Sequence, residues 1–193
     1  ILGLTPITKG SITYNDKVID RSLYNRIGYL PEERGLHPKM KVGDELRYLA
    51  TLKGMASKDI TKAIDYWLKR FDITENREKK IESLSKGNQQ KIQLLASMLH
   101  DPELLILDEP TNGLDFVARE DLLERIEYIG QDSDGPTIIY VTHHLEEVLP
   151  IFKNILLLKN GEVFKLGNIQ ALLNSDNMSN LFGIDVDVEF KNN

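Results

Sequence analysis

The chain contains no cysteine among its 193 residues. That absence excludes thiol catalysis, cysteine-type zinc fingers and a disulfide framework, and it fits a reducing compartment. Long apolar runs are missing too: none approaches the roughly 18 residues that a membrane span requires, and no charged-then-apolar leader opens the sequence. There is no internal repeat and no low-complexity tract. Basic charge is in short supply, with 24 Lys and Arg against 30 Asp and Glu, a net charge of -6 and a pI near 5.3. That is the wrong sign for a domain that wraps nucleic acid electrostatically and leaves only local basic patches for such contacts. An initiating Met is absent as well; Ile1 stands first, so these residues are expected to be part of a longer protein. A chain of this size buries about 70% of the surface its unfolded form exposes and needs no staple, which favours one large domain over two small ones.

The hydrophobic pattern divides the chain. Ser11 to Tyr14 and Lys17 to Ile19 flank Asn15-Asp16, and Ile155 to Leu158 and Val163 to Leu166 flank Asn160-Gly161, so both stretches read as hairpins with turn-forming central residues. Between them the period becomes helical. Ile60, Ala63, Ile64, Trp67, Leu68 and Phe71 recur on one face, preceded by a segment from Gly43 to Met55 and followed by a helix from Ser85 to about His100. Residues 41 to 100 thus read as a helical block, either a subdomain or a layer lying directly on a sheet. Beyond it, the strand Leu104 to Leu107, the helix Phe116 to Ile129 with Leu122, Ile126 and Ile129 inward, and the strand Thr137 to Val141 predict a parallel sheet covered by helices. Both strands read as buried on both faces. The polar tail from Asn174 is expected to fray, with Val186, Val188 and Phe190 alternating like an edge strand.

Ligands of such sheets bind at the carboxyl ends of the strands. One strand ends in Asp108-Glu109-Pro110 and the other in Thr142-His143-His144. Paired carboxylates after a strand suit phosphoryl transfer, Asp108 holding a divalent metal and Glu109 orienting or deprotonating water; the alternative is a strand ending at a solvated turn. Ser85, with Gly87 close behind, opens the helix that carries Ile92, Leu95, Ala96 and Leu99. It is either an ordinary N-cap or the mouth of an anion site.

Taken together, Leu84-Ser85-Lys86-Gly87-Asn88-Gln89, Leu104 to Glu109, Asn112-Gly113-Leu114-Asp115 and a post-strand His143 resemble, in order and spacing, the nucleotide-binding domain of ABC transporters. The resemblance covers residues 1 to about 170. It implies an α/β fold, a P-loop NTPase-like parallel sheet with a helical subdomain and antiparallel β hairpins. Residues 1–40 and 101–174 would form the catalytic core, 41–100 the helical subdomain and 175–193 a tail. It further implies that Ser85 and Gly87 belong to the signature loop, which touches the γ-phosphate of ATP held by the opposite subunit. Asp108 and Glu109 become the Walker B pair, Asp115 part of the D-loop at the dimer interface, and His143 the switch histidine on the γ-phosphate. His144 is expected to begin the next helix.

Three departures stand out. Lys86 and Asn88 occupy signature positions where Gly and Gln are usual. In Ile27-Gly28-Tyr29-Leu30-Pro31-Glu32, which resembles the strand entering the Q-loop, Glu32 replaces a metal-binding glutamine and can itself ligate Mg²⁺ as a hard oxygen donor. With Arg34-Gly35-Leu36 this wording resembles bacterial ATPases of the sodium-extrusion type and related exporters. Third, no Gly-x-x-x-x-Gly-Lys-Ser/Thr occurs in the 193 residues, although Ile1-Leu2-Gly3-Leu4 resembles the helix directly after that loop. The adenine-stacking aromatic is missing too.

The resemblance therefore implies an ATP- and Mg²⁺-dependent subunit at the cytoplasmic face of the membrane. A second ATP-binding subunit would meet it head to tail, and separate membrane subunits would receive the segment from Met40 to about Arg77. These residues alone are expected to bind ATP weakly and hydrolyse it negligibly. The alternatives are a soluble ABC-type ATPase of DNA repair or translation, disfavoured by the net charge of -6 and the modest helical block, or a non-catalytic fragment.

Overall fold

The computed structural model describes residues 2, 6–18, 23–33 and 35–189; Ile1, Gly3, Leu4, Ile19, Arg34 and Phe190, which carry sequence expectations, lie outside them. The chain forms two compact units, Ile1–Glu147 and Val148–Asn193.

In the first unit, β1 (Thr13–Tyr14) and β2 (Lys17–Val18) make the expected hairpin. Asn15 and Asp16 at its tip have φ of 49° and 60°, the left-handed pair that a type I′ turn demands. Next come β3 (Ile27–Leu30), β4 (Leu104–Asp108) and β5 (Thr137–Val141), all parallel, with β4 in the centre. From Leu104 to Leu107 β4 is wholly buried. Leu23, Ile27, Leu104 and Ile106 form a core against which Tyr14, Tyr29 and Ile139 pack. The expectation that β5 is buried on both faces is corrected: Val141 is 43% exposed and Ile138 to Tyr140 are half-buried. Among the described residues β5 has a single strand neighbour, β4, so the apolar composition of a central strand sits at an edge.

Among the described residues four helices cover this sheet or stand beside it: α1 (Val42–Leu52), α2 (Ser57–Arg70), α3 (Lys86–Met98) and α4 (Phe116–Gln131). Ile60, Ile64 and Leu68 of α2 are 0–2% exposed, as their spacing requires. Each such side chain contributes about 1.5–3 kcal/mol by leaving water. Helix α3 lies on β3 so closely that a Cβ on Gly28 would fall 2.4 Å from the Ser97 carbonyl oxygen. From the end of α1, Lys53 Nζ donates to the carbonyls of Tyr24 (3.1 Å) and Ile27 (3.0 Å), tying the helical block to the start of β3.

In the second unit, β6 (Asn154–Lys159) pairs antiparallel with β7 (Glu162–Asn168) around Asn160 (φ 54°) and Gly161 (φ 80°), the second expected hairpin. Two short helices come after it, α5 (Ile169–Leu172) and α6 (Ser175–Phe182). The tail differs from its sequence reading. Met178 is fully buried, and residues 185–189 pair with no strand among the described residues; instead the Val186 and Val188 amides donate to the Ser179 (2.9 Å) and Ser175 (3.0 Å) hydroxyls. The short polar side chains of α6 take the place of a ladder partner. Among the described residues no helix is long and apolar enough to cross a membrane.

Candidate active site

Parallel strands send their carboxyl ends to one edge, so the segments leaving β4 and β5 lie side by side. Asp108 is the register partner of Val141. Glu109 then takes a left-handed φ of 45°, its amide donating to the Val141 carbonyl at 3.0 Å and its own carbonyl accepting from the Asn112 amide at 3.1 Å. A non-glycine residue held there costs on the order of 1 kcal/mol or more. The sharp turn sets the Glu109 carboxylate against the loop after β5. His143 Nδ1 lies 2.6 Å from Glu109 Oε1, and Thr142 Oγ1 lies 3.4 Å from Glu109 Oε2.

Hydrogen bonding to Glu109, reinforced by its charge, raises the His143 pKa above the ordinary 6.5. Because Nδ1 faces a carboxylate, Nδ1 carries the proton. Nε2 of a neutral ring is then an acceptor, and His143 can donate outward only as the imidazolium. The Glu109 side chain is 13% exposed and that of His143 67%, so the pair has one sheltered and one open member.

Asp108 and Glu32 join the same edge. Asp108 Oδ2 accepts from Tyr29 OH on β3 at 3.2 Å, and burial, together with the Asp108 charge, raises the Tyr29 pKa. Glu32 Oε1 accepts from Asn112 Nδ2 at 2.9 Å, which draws the loop after β3 to the turn after β4. That loop is held from behind by Gln93 Nε2, which donates to the carbonyls of Pro31 (3.2 Å) and Glu33 (3.4 Å). Asp108 and Glu32 offer hard oxygens of the kind Mg²⁺ prefers.

Ser85, Gly87 and Asp115 gather elsewhere, where α3 begins against α4. Ser85 caps α3 by accepting from the Asn88 amide at 3.2 Å, and Asp115 caps α4 by accepting from the Ala118 amide at 2.9 Å. Each cap is worth about 1 kcal/mol. A Cβ on Gly87 would come within 2.8 Å of Ala118 Cβ, so the glycine permits the helix contact. Among the described residues no hydrogen bond or ion pair joins Ser85 to Glu109 or His143.

Two residues of this edge escaped the sequence reading. His144 was expected to begin a helix, but only a single 3-10 turn, Leu145–Glu147, comes after it. Its ring also stacks 4.1 Å from that of His143, and ligand atoms of Glu109, His143 and His144 lie within 4.8 Å of one another. Two imidazoles and one carboxylate suit a transition metal better than Mg²⁺. Glu147 is 1% exposed and accepts from three hydroxyls, those of Thr111, Tyr140 (2.8 Å) and Thr142 (2.8 Å). The available signal was a threonine just beyond each strand, Thr111 and Thr142, with no partner assigned. A groove of about 500 Å³ lined by Tyr66, Lys69, Arg70, Arg125 and Tyr128 contains none of these residues.

The described residues form an α/β fold whose helix-covered parallel sheet presents paired carboxylates and a histidine at its carboxyl edge. Residues 1–112 match the ABC transporter family, and the chain belongs to that family. It is 46% identical over 181 residues to YhaQ of Bacillus subtilis, an uncharacterised ABC transporter ATP-binding protein, covering 94% of this chain and 60% of that protein. It is 32% identical over 170 residues to LnrL of the same organism, a linearmycin resistance ATP-binding protein, covering 86% and 54%. Among solved structures, cbiO1 from Clostridium perfringens, part of the ABC transporter complex cbiONQ, superposes with a TM-score of 0.78 at 26% identity over 92% of this chain and 73% of that one. The chain thus spans less than two thirds of the length of these two curated relatives.

Proposed function

We propose that this chain is the ATP-hydrolysing part of a bacterial ABC transporter, with Glu109 as the base and His143 as its partner at the γ-phosphate. The observation that carries this reading is the 2.6 Å contact between them at the edge where Asp108 also ends its strand. Glu109 takes the proton of an attacking water, and His143, when its ring is protonated, directs Nε2–H at the phosphoryl oxygens. Asp108 and Glu32 hold Mg²⁺, which when bound neutralises charge on the phosphates. Ser85 and Gly87 serve the nucleotide of a second ATP-binding subunit, and Asp115 lies at the interface between the two. In this reading residues 1–174 work as one ATPase domain, with 41–100 as its helical subdomain and the surface from Met40 to Arg77 receiving separate membrane subunits at the cytoplasmic face. Export is the proposed direction; the likeness of residues 27–36 to sodium-extrusion ATPases and a relative named for linearmycin resistance both support it.

The test is turnover in the transporter assembled with its membrane subunits. Glu109→Gln lowers kcat by about 10²- to 10⁴-fold, the usual worth of a positioned base. Near wild-type turnover in that variant would remove Glu109 from the role. The 193 residues contain no phosphate-cradling glycine loop, so by themselves they turn over MgATP no faster than their Glu109→Gln form.

A further inference from the structure

We infer that Glu147 is a positioning residue for hydrolysis: its buried carboxylate clamps the turn bearing Glu109 to the loop bearing His143. The inference rests on the reading of Glu109 as the base. Glu147 Oε1 accepts from Thr111, two residues beyond Glu109 and 36 positions away from Glu147 in the chain. Oε2 accepts from Tyr140 on β5 and from Thr142, each at 2.8 Å. One oxygen therefore serves the turn after β4, and the other serves β5 and the loop after it. Among the described residues no cation pairs with Glu147, so three hydroxyls supply its hydrogen bonds.

The clamp also decides a proton. Thr142 has one hydroxyl hydrogen and two carboxylates in reach, Glu147 Oε2 at 2.8 Å and Glu109 Oε2 at 3.4 Å. The shorter contact takes it, because hydrogen bonds weaken quickly beyond about 3.0 Å for O–H donors. Glu109 Oε2 thereby keeps its acceptor capacity for water, while Oε1 is engaged by His143. Thr142 is fixed from its other side by the His144 amide, which donates to Oγ1 at 3.0 Å, so the hydroxyl is held where the clamp needs it.

A glutamine at this position has one acceptor oxygen instead of two and no charge. It can serve only one of the two loops as an acceptor, whichever way the amide faces. In the assembled transporter, Glu147→Gln is expected to lower kcat about tenfold while KM for MgATP changes less than about threefold, the pattern of a lost transition-state arrangement. On a Glu109→Gln background the same substitution should cost less than about twofold, because a residue acting through the base is silent once the base is gone. Wild-type kcat in Glu147→Gln, or an equal further loss on both backgrounds, overturns the inference; the second result would mark Glu147 as a purely structural group. Wild-type turnover in Glu109→Gln alone overturns the reading of the base and the inference with it. Should Glu147→Gln fail to fold, Thr111→Val and Tyr140→Phe each withdraw one donor from the same carboxylate. Each should lower kcat about threefold and show the same silence without Glu109; wild-type kcat in both overturns the clamp.

Discussion

His143 donates from Nδ1 to Glu109 across 2.6 Å, although the two residues are 34 positions apart and come after different strands. The contact holds charge on the imidazole, since the hydrogen bond and then the charge of Glu109 raise the His143 pKa. A raised histidine pKa stabilises the protonated form, so the charge contribution of the pair is fully present below 6.5 and is lost as pH rises through the folded value, while the neutral ring keeps its Nδ1–H on Glu109. In an NMR titration of the histidine rings, His143 should titrate above 6.5 and return toward it in Glu109→Gln. A His143 titrating at or below the ordinary value would break the proposed pairing.

Gly28 has no room for a methyl group. A Cβ there would lie 2.4 Å from the Ser97 carbonyl oxygen, 2.9 Å from Leu105 Cδ1 and 3.2 Å from Pro102 Cγ. The nearest of these is backbone, which cannot rotate aside. Gly28→Ala should cost about 1–3 kcal/mol or more by forcing α3 off β3, as overpacking does in well-filled cores. Urea denaturation measures this directly, and a cost below about 0.5 kcal/mol, the range of ordinary surface substitutions, would mean the approach of α3 to β3 is looser than described.

The contact at Gly87 is of a gentler kind, side chain against side chain. A methyl group there would meet Ala118 Cβ at 2.8 Å, and α3 and α4 would have to part by a fraction of an ångström. Gly87→Ala should therefore destabilise by about 1 kcal/mol or more. Ala118→Gly should recover part of the loss, less its own helix-propensity cost of about 1 kcal/mol. If the two changes are simply additive in denaturation, the glycine is not there for the helix contact.

Both hairpins were legible because turn chemistry is local: Asn15-Asp16 and Asn160-Gly161 occupy the left-handed conformations that their tight turns need. The run Leu104 to Leu107 was legible because a wholly buried strand has no polar face. Asp108, Glu109 and His143 came from the rule that strand ends carry chemistry, and Glu32 from the resemblance of residues 27–32 to the strand entering the Q-loop; the structure gathers all four at one edge. Of the residues that escaped, Glu147 depends on partners that lie on other elements. Glu147 has meaning only through hydroxyls 36, 7 and 5 positions away, and no periodicity reports a buried carboxylate served by threonines and a tyrosine. The composition of β5 shows that its residues can be buried, not how many strands flank them. Likewise, alternation in Val186 and Val188 is satisfied equally by a strand neighbour and by serine hydroxyls on a helix.

His100 should titrate in the opposite direction from His143. Its Nε2 lies 3.1 Å from the Ile27 carbonyl, so Nε2 carries the hydrogen of the neutral ring, while Nδ1 is buried without a partner. Protonation would place an unpaired N–H inside, close to the ammonium of Lys53, which donates to the same carbonyl. Burial, and after it the Lys53 charge, accordingly lowers the His100 pKa below 6.5. Here the unfolded chain binds the proton more tightly than the folded one. This contribution is present above 6.5 and is lost as pH falls from there toward the folded value. Stability measured by urea denaturation between about pH 7 and 5 should fall with acidification, and His100→Gln, which retains a donor for the Ile27 carbonyl and cannot titrate, should flatten that slope. An unchanged slope in His100→Gln would mean that the folded chain accommodates the imidazolium at this position.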